Sequence, residues 1–89
     1  MSVNESVRGV LPEGSIIFDN IAFDNSIIGV THDGRVAYDL NRMIQELCRE
    51  ENMTTTEALE WIEYNTIRMI PYLKPEKSPV IIYSLEEFL

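Results

Sequence analysis

Two helix signals stand almost end to end in the middle of this chain, and no other feature restricts its fold as much. Leu40, Met43, Ile44, Leu47 and Cys48 recur at helical spacing behind Asp39, a side chain suited to capping a helix N-terminus. Arg42, Glu46 and Arg49 fall on the other side, spaced for weak surface ion pairs. The helix is expected to stop near Asn52. Thr54 and Glu57 then satisfy the S/T-x-x-E capping box, with Met53 at the preceding staple position. A connection this short makes the two helices close neighbours. The second helix runs through TTTEALEWIEYNTIRMIP, with Ala58, Leu59, Ile62, Thr66, Ile67, Met69 and Ile70 on its core side. Pro71 is expected to end it, because the residue before a proline is pushed out of the α region.

Strands are expected on both sides of this pair. SIIGVT and RVAYD flank His32-Asp33-Gly34, and β-branched runs around Asp-Gly signal a hairpin. Ile27, Ile28, Val30, Val36 and Tyr38 are its expected buried side chains. After the proline-punctuated loop PYLKPEKSP, which carries both lysines, Val80 to Tyr83 reads as a short apolar strand before an acidic–apolar tail. The order β-β-α-α-β predicts an α+β domain: a small antiparallel sheet with two adjacent helices on one face. Residues 1–15, with Gly9, Pro12 and Gly14, read as a flexible lead-in, and 16–89 as the single domain. Phe-Asp-Asn occurs at 18–20 and 23–25, where Asx side chains favour turns between short extended pieces.

Composition narrows the function more by exclusion than by indication. A 45% hydrophobic, 25% charged chain of 89 residues is globular, with room for one modest core. Its first fifteen residues carry acids and no apolar run, so no secretory signal is expected; no stretch suggests a membrane span, and a cytoplasmic protein is the simplest reading. The formal charge of −8 opposes direct binding to nucleic acid or to anionic membranes. It suits a basic protein partner, or serves solubility alone.

Catalytic signals are few. His32, the one histidine, sits beside Asp33 at the expected hairpin tip, and Cys48, the one cysteine, lies on an apolar helix stripe. A single cysteine excludes an internal disulfide and multi-cysteine metal sites. Phosphate-loop, dinucleotide-binding, serine-elbow and HExxH patterns are absent. No catalytic residue, cofactor or metal ligand is therefore assigned. The alternative enzyme reading uses carboxylates, with a divalent metal gathered by Asp19, Asp24 and Asp33.

A binding face is better supported. Glu57, Glu60 and Glu63 sit three apart on the second helix, with Trp61, Tyr64, Asn65 and Arg68 on a neighbouring strip. Tyrosine, tryptophan and arginine are the types enriched at interface hot spots. The competing structural reading has Trp61 and Tyr64 covering the edge of the core with their polar tips in water. From Glu46 to Glu63 the chain holds six glutamates against Arg49 alone.

FDNSIIGVTHDGRVAYD, MTTTEALEWIEYNTIR and the apolar PVIIY together resemble a family of small acidic proteins, without an assigned activity, from genomes and mobile elements of Firmicutes and other gut bacteria. The resemblance implies that Tyr64, Asn65, Thr66 and Arg68 form a family motif. It also implies mobile-element biology, where defence inhibitors and antitoxins occur. A second resemblance, in the order strand, helix, N-M-T-T, helix, is to ribbon-helix-helix repressors, but those read DNA with basic or polar strand residues, and the strand here is apolar. The reading carried forward is a non-enzymatic interaction protein that regulates or inhibits a protein partner, such as a basic nucleic-acid-binding protein, through an acidic surface. Homodimerisation through the same face is the alternative use of it.

Overall fold

The Asp-Gly signal becomes a hairpin between β1 (Ile27–Val30) and β2 (Val36–Asp39) in a computed structural model that describes residues 9–83 and 85. Thr31 N–H donates to the Arg35 carbonyl (2.7 Å) and Gly34 N–H to the Thr31 carbonyl (2.9 Å). Gly34 turns the chain back at φ +86°, a left-handed conformation that costs glycine little. Arg35 N–H bonds the Thr31 hydroxyl, which itself donates to the Asp33 carboxylate.

The pairing is irregular in a way that alternation does not reveal. Ile27 faces Tyr38, Gly29 faces Ala37 and Val30 faces Val36, so Ile28 is one residue too many for the partner strand. This bulge keeps Ile27 and Val30 on the same face although they are three positions apart. Ile28 and Val30 are nevertheless 41% and 42% exposed, a correction to the expectation that both are buried. β1 is an edge strand, with a neighbouring strand on one side alone.

α1 (Leu40–Glu51), α2 (Thr55–Asn65) and β3 (Val80–Ile82) complete the α+β order β-β-α-α-β. The sheet is mixed rather than wholly antiparallel: β3 lies parallel to the central β2, with Tyr38 beside Ile81. The cause is the connection. Two helices separate β2 from β3, and a crossover of that length brings the chain back to the end at which β2 began. Arg35, just before β2, fixes that return. Its Nε donates to the Ser78 carbonyl (2.8 Å) and its guanidinium also to Ser78 Oγ (3.2 Å), immediately ahead of β3.

The helix boundaries follow the capping chemistry. Asp39 accepts a hydrogen bond from Asn41 N–H (2.9 Å), and Asn52 ends α1 at φ 55°, a left-handed position that asparagine tolerates. Thr54 and Glu57 form the reciprocal capping box, at 3.2 and 2.9 Å. The C-terminal end departs from expectation. α2 stops at Asn65, and the chain tightens into a 3-10 helix, Ile67–Tyr72, that contains Pro71. The change from 3.6 to about three residues per turn rotates later side chains off the α stripe. Met69, expected in the core, is 53% exposed for that reason.

One apolar cluster joins the layers. Val36 and Tyr38 from β2, Leu40, Met43, Ile44 and Leu47 from α1, Ala58 and Ile62 from α2, and Phe23 are buried together, with Ile27, Ile81 and Met53 against them. Phe23 belongs to a second 3-10 helix, Ile21–Ser26, capped by the Asn20 side chain through Ala22 N–H (3.0 Å). The second Phe-Asp-Asn is thus inside a tight helical turn, not between extended pieces. Residues 1–8 of the expected lead-in lie outside the described residues; of the rest, Leu11 is half-buried against the cluster and Ser15 closes a turn on Pro12.

Two substitutions test this core. Ile62→Ala, at a fully buried position, is expected to lose about 2–5 kcal/mol in denaturant unfolding through the cavity it leaves. Ser26→Ala is expected to be neutral or stabilising, because the buried Ser26 hydroxyl has no hydrogen-bond partner among the described residues. A loss above about 1 kcal/mol at Ser26 would show that the hydroxyl is satisfied in solution.

Candidate functional site

Four of the seven candidate residues come together on the outer side of α2. Glu60, Glu63, Tyr64 and Arg68 line an open groove of about 670 Å³ floored by Ile67. Steps of three and four place Glu60, Glu63 and Tyr64 on one face of α2, and Ile67 and Arg68 join them from the 3-10 helix that follows. Tyr64 is 67% exposed, and the Arg68 guanidinium carbon sits 4.8 Å from its ring centre. That stacking favours this placement of both side chains, and the arginine has no carboxylate partner among the described residues. Glu60 and Glu63 likewise carry no ion pair among the described residues. Ile67, expected on the core side, packs against the core cluster and also reaches this groove, as its spacing from Glu60, Glu63 and Tyr64 allows.

Trp61 and Asn65 belong elsewhere. At 3.6 residues per turn Trp61 and Tyr64 lie about 60° apart around the helix, enough to send them to different surroundings. Trp61 packs edge-on against Phe23, with ring centres 6.1 Å apart and planes at 63°. Asn65 Nδ2 donates to the Trp61 carbonyl (3.0 Å). Both line a second cleft, of about 440 Å³, between residues 16–20 and the 3-10 helix that follows α2. The single Trp61–Tyr64–Arg68 strip is therefore divided: Trp61 covers the core edge, as the competing reading had it, whereas Tyr64 projects into solvent.

The acidic block also separates into used and free charge. Arg49 pairs with Glu46 and, at 2.9 Å, with Glu50. Arg42 lies 3.9 Å from Asp39. Glu57 is committed to the capping box, and the hydrogen bonds it exchanges with Thr54, from the backbone N–H first, hold its carboxyl below the ordinary glutamate value. Its place in a docking surface is thereby weakened. Glu60 and Glu63 are the carboxylates of α2 without a partner among the described residues.

The remaining chemistry stays dispersed. His32 is exposed at the hairpin tip and Cys48 is half-buried on α1. No group of three or more His, Cys, Asp or Glu side chains among the described residues could hold a metal ion. That removes the Asp19–Asp24–Asp33 cluster of the enzyme alternative: Asp24 is buried in a 3-10 helix, and Asp33 is engaged with Thr31 at the hairpin tip. Among the described residues, no helix is long and apolar enough to cross a membrane. No protein-family model, curated protein or solved structure matches the chain.

Two tests follow from these placements. Tyr64→Ala is expected to change stability by less than about 0.5 kcal/mol, and Trp61→Ala to cost about 2–4 kcal/mol, in the same unfolding experiment. Glu57 supplies a pH test. Its folded value is lowered, so its contribution to stability is present above the ordinary glutamate range and is lost as pH falls through the folded value. Glu57→Gln keeps an acceptor but does not titrate. Between about pH 7 and pH 3 its melting temperature should fall less than that of the wild type; an equal fall would remove Glu57 from the acid response.

Proposed function

We propose that this chain is a small acidic interaction protein that regulates or inhibits a basic protein partner, with the outer groove of α2 as its contact surface. The observation that carries this reading is the groove itself: an aromatic ring and an isoleucine between two carboxylates without ion pairs among the described residues, with Arg68 stacked on Tyr64. Interfaces combine apolar anchors with charges that steer and orient the partner, and Tyr and Arg recur at their centres. The net charge of −8 adds long-range attraction for a cationic surface. If the partner binds nucleic acid, the carboxylates take the places of phosphates. The resemblance to mobile-element proteins agrees with an inhibitor or antitoxin of this kind. A ribbon-helix-helix arrangement has less support, since β2, the strand leading into α1, is already paired on both edges within its own chain.

Capture of partners from the native host at low and high salt tests the reading. Retention of a basic protein that falls steeply with salt is the expected result. Tyr64→Ala and Arg68→Ala should abolish capture while leaving the unfolding midpoint nearly unchanged. Capture that ignores salt, or that selects acidic proteins, would overturn it. Light scattering separates the self-association alternative: loss of dimer mass in the same two variants would assign the groove to a homodimer.

A further inference from the structure

The second cleft has a chemistry of its own. Phe18, Phe23 and Trp61 contribute aromatic lining, and its volume of about 440 Å³ lies at the small end of the range of ligand clefts. Its one charged residue is Asp19, exposed and without an ion pair among the described residues. Thr66 also lines the cleft, and its hydroxyl, which makes no hydrogen bond within the described residues, is open to solvent there. Asn65 adds a carbonyl oxygen, because its amide nitrogen is the atom that bonds the Trp61 backbone.

We propose that this cleft receives an arginine side chain of the protein partner. The fit is one of charge and shape. A carboxylate and two neutral oxygens are acceptors, no basic side chain competes for them, and the aromatic lining suits the flat, weakly hydrated face of a guanidinium. Arginine offers several donors in a rigid plane, whereas a lysine ammonium is a compact, strongly hydrated charge. The cleft and the Tyr64–Arg68 groove flank the same helix, so a basic surface laid along α2 reaches both. The inference rests on the proposed function only in taking the partner to be basic; the site itself is defined by residues that the groove does not use.

Titration of the whole protein with N-acetyl-arginine methylamide, its lysine counterpart and its citrulline counterpart tests the site. Fluorescence of Trp61, the only tryptophan, and backbone amide NMR shifts provide the readouts. Arginine is expected to give a saturable change centred on residues 16–20, 61, 65 and 66, with lysine about tenfold weaker and neutral citrulline not saturating. Asp19→Asn and Thr66→Val, both close in shape to the native side chains, should each weaken arginine about five- to tenfold while the NMR spectrum stays dispersed. Glu60→Gln with Glu63→Gln should leave it unchanged, which excludes general attraction to an acidic surface. Equal binding of citrulline, equal binding of lysine, or indifference to Asp19→Asn would each overturn the proposal. Partner capture reports separately. Capture lost in Tyr64→Ala without any arginine binding overturns the cleft alone, whereas arginine binding with capture retained in Tyr64→Ala supports the cleft and removes the groove.

Discussion

Tyr38 occupies the position through which most of this molecule is connected. It is fully buried at the centre of the middle strand, beside Ile27 of β1 and Ile81 of β3. Its hydroxyl accepts a hydrogen bond from Phe18 N–H (3.1 Å), and its ring lies 4.7 Å from that of Phe18. A buried tyrosine needs a partner for its polar end, and here that partner is the backbone of the segment leading into the sheet. One side chain thus joins two edge strands, the apolar cluster and the wall of the cleft beside α2. Phe18 meets Phe23 edge-on, and Phe23 meets Trp61 in the same manner, so a chain of aromatic contacts runs from Tyr38 to the helix that carries both candidate surfaces.

Beyond that core, the fold consumes much of the charge that the sequence displays. Arg49 pairs with both Glu46 and Glu50 along α1 and offsets one of their two charges, Asp39 caps the helix, and Glu57 closes the capping box of α2. Exposed pairs of this sort contribute little stability singly, but they decide which charges face a partner unbalanced. On α2 the remainder is Glu60 and Glu63, which lie where the helix also exposes Tyr64. The excess of six glutamates over one arginine therefore overstates the acidic surface available for binding, and its useful part is confined to two turns.

α2 is accordingly a two-sided element. Ala58 and Ile62 anchor it in the core, and the surfaces to either side of that anchor differ in kind. Toward Tyr64 the surface is open and bears charges of both signs. Toward Trp61 it is narrower and mainly apolar, with a single carboxylate at Asp19 and a hydroxyl at Thr66. The tightening of the chain after Asn65 creates the second surface, because it swings Met69 and Leu73 beside the cleft instead of continuing the α stripe.

Local rules in the sequence determined the class, the element order, the hairpin, both helix caps, the capping box and the principal core residues from Val36 to Ile62. Each of these depends on a hydrogen bond or a periodicity confined to a few neighbouring positions. Tertiary structure decided what those rules leave open. The parallel return of β3 depends on Arg35 meeting Ser78, forty-three positions away. The exposure of Ile28 and Val30 depends on the place of β1 at the sheet edge, and that of Met69 on an α-to-3-10 transition ahead of Pro71. For the candidate site, composition and spacing marked α2 and its Tyr and Arg, but helical spacing alone could not separate Trp61 from Tyr64. Their roughly 60° difference became a difference of environment only because Phe23, distant in sequence, stands on one side of the helix and solvent on the other.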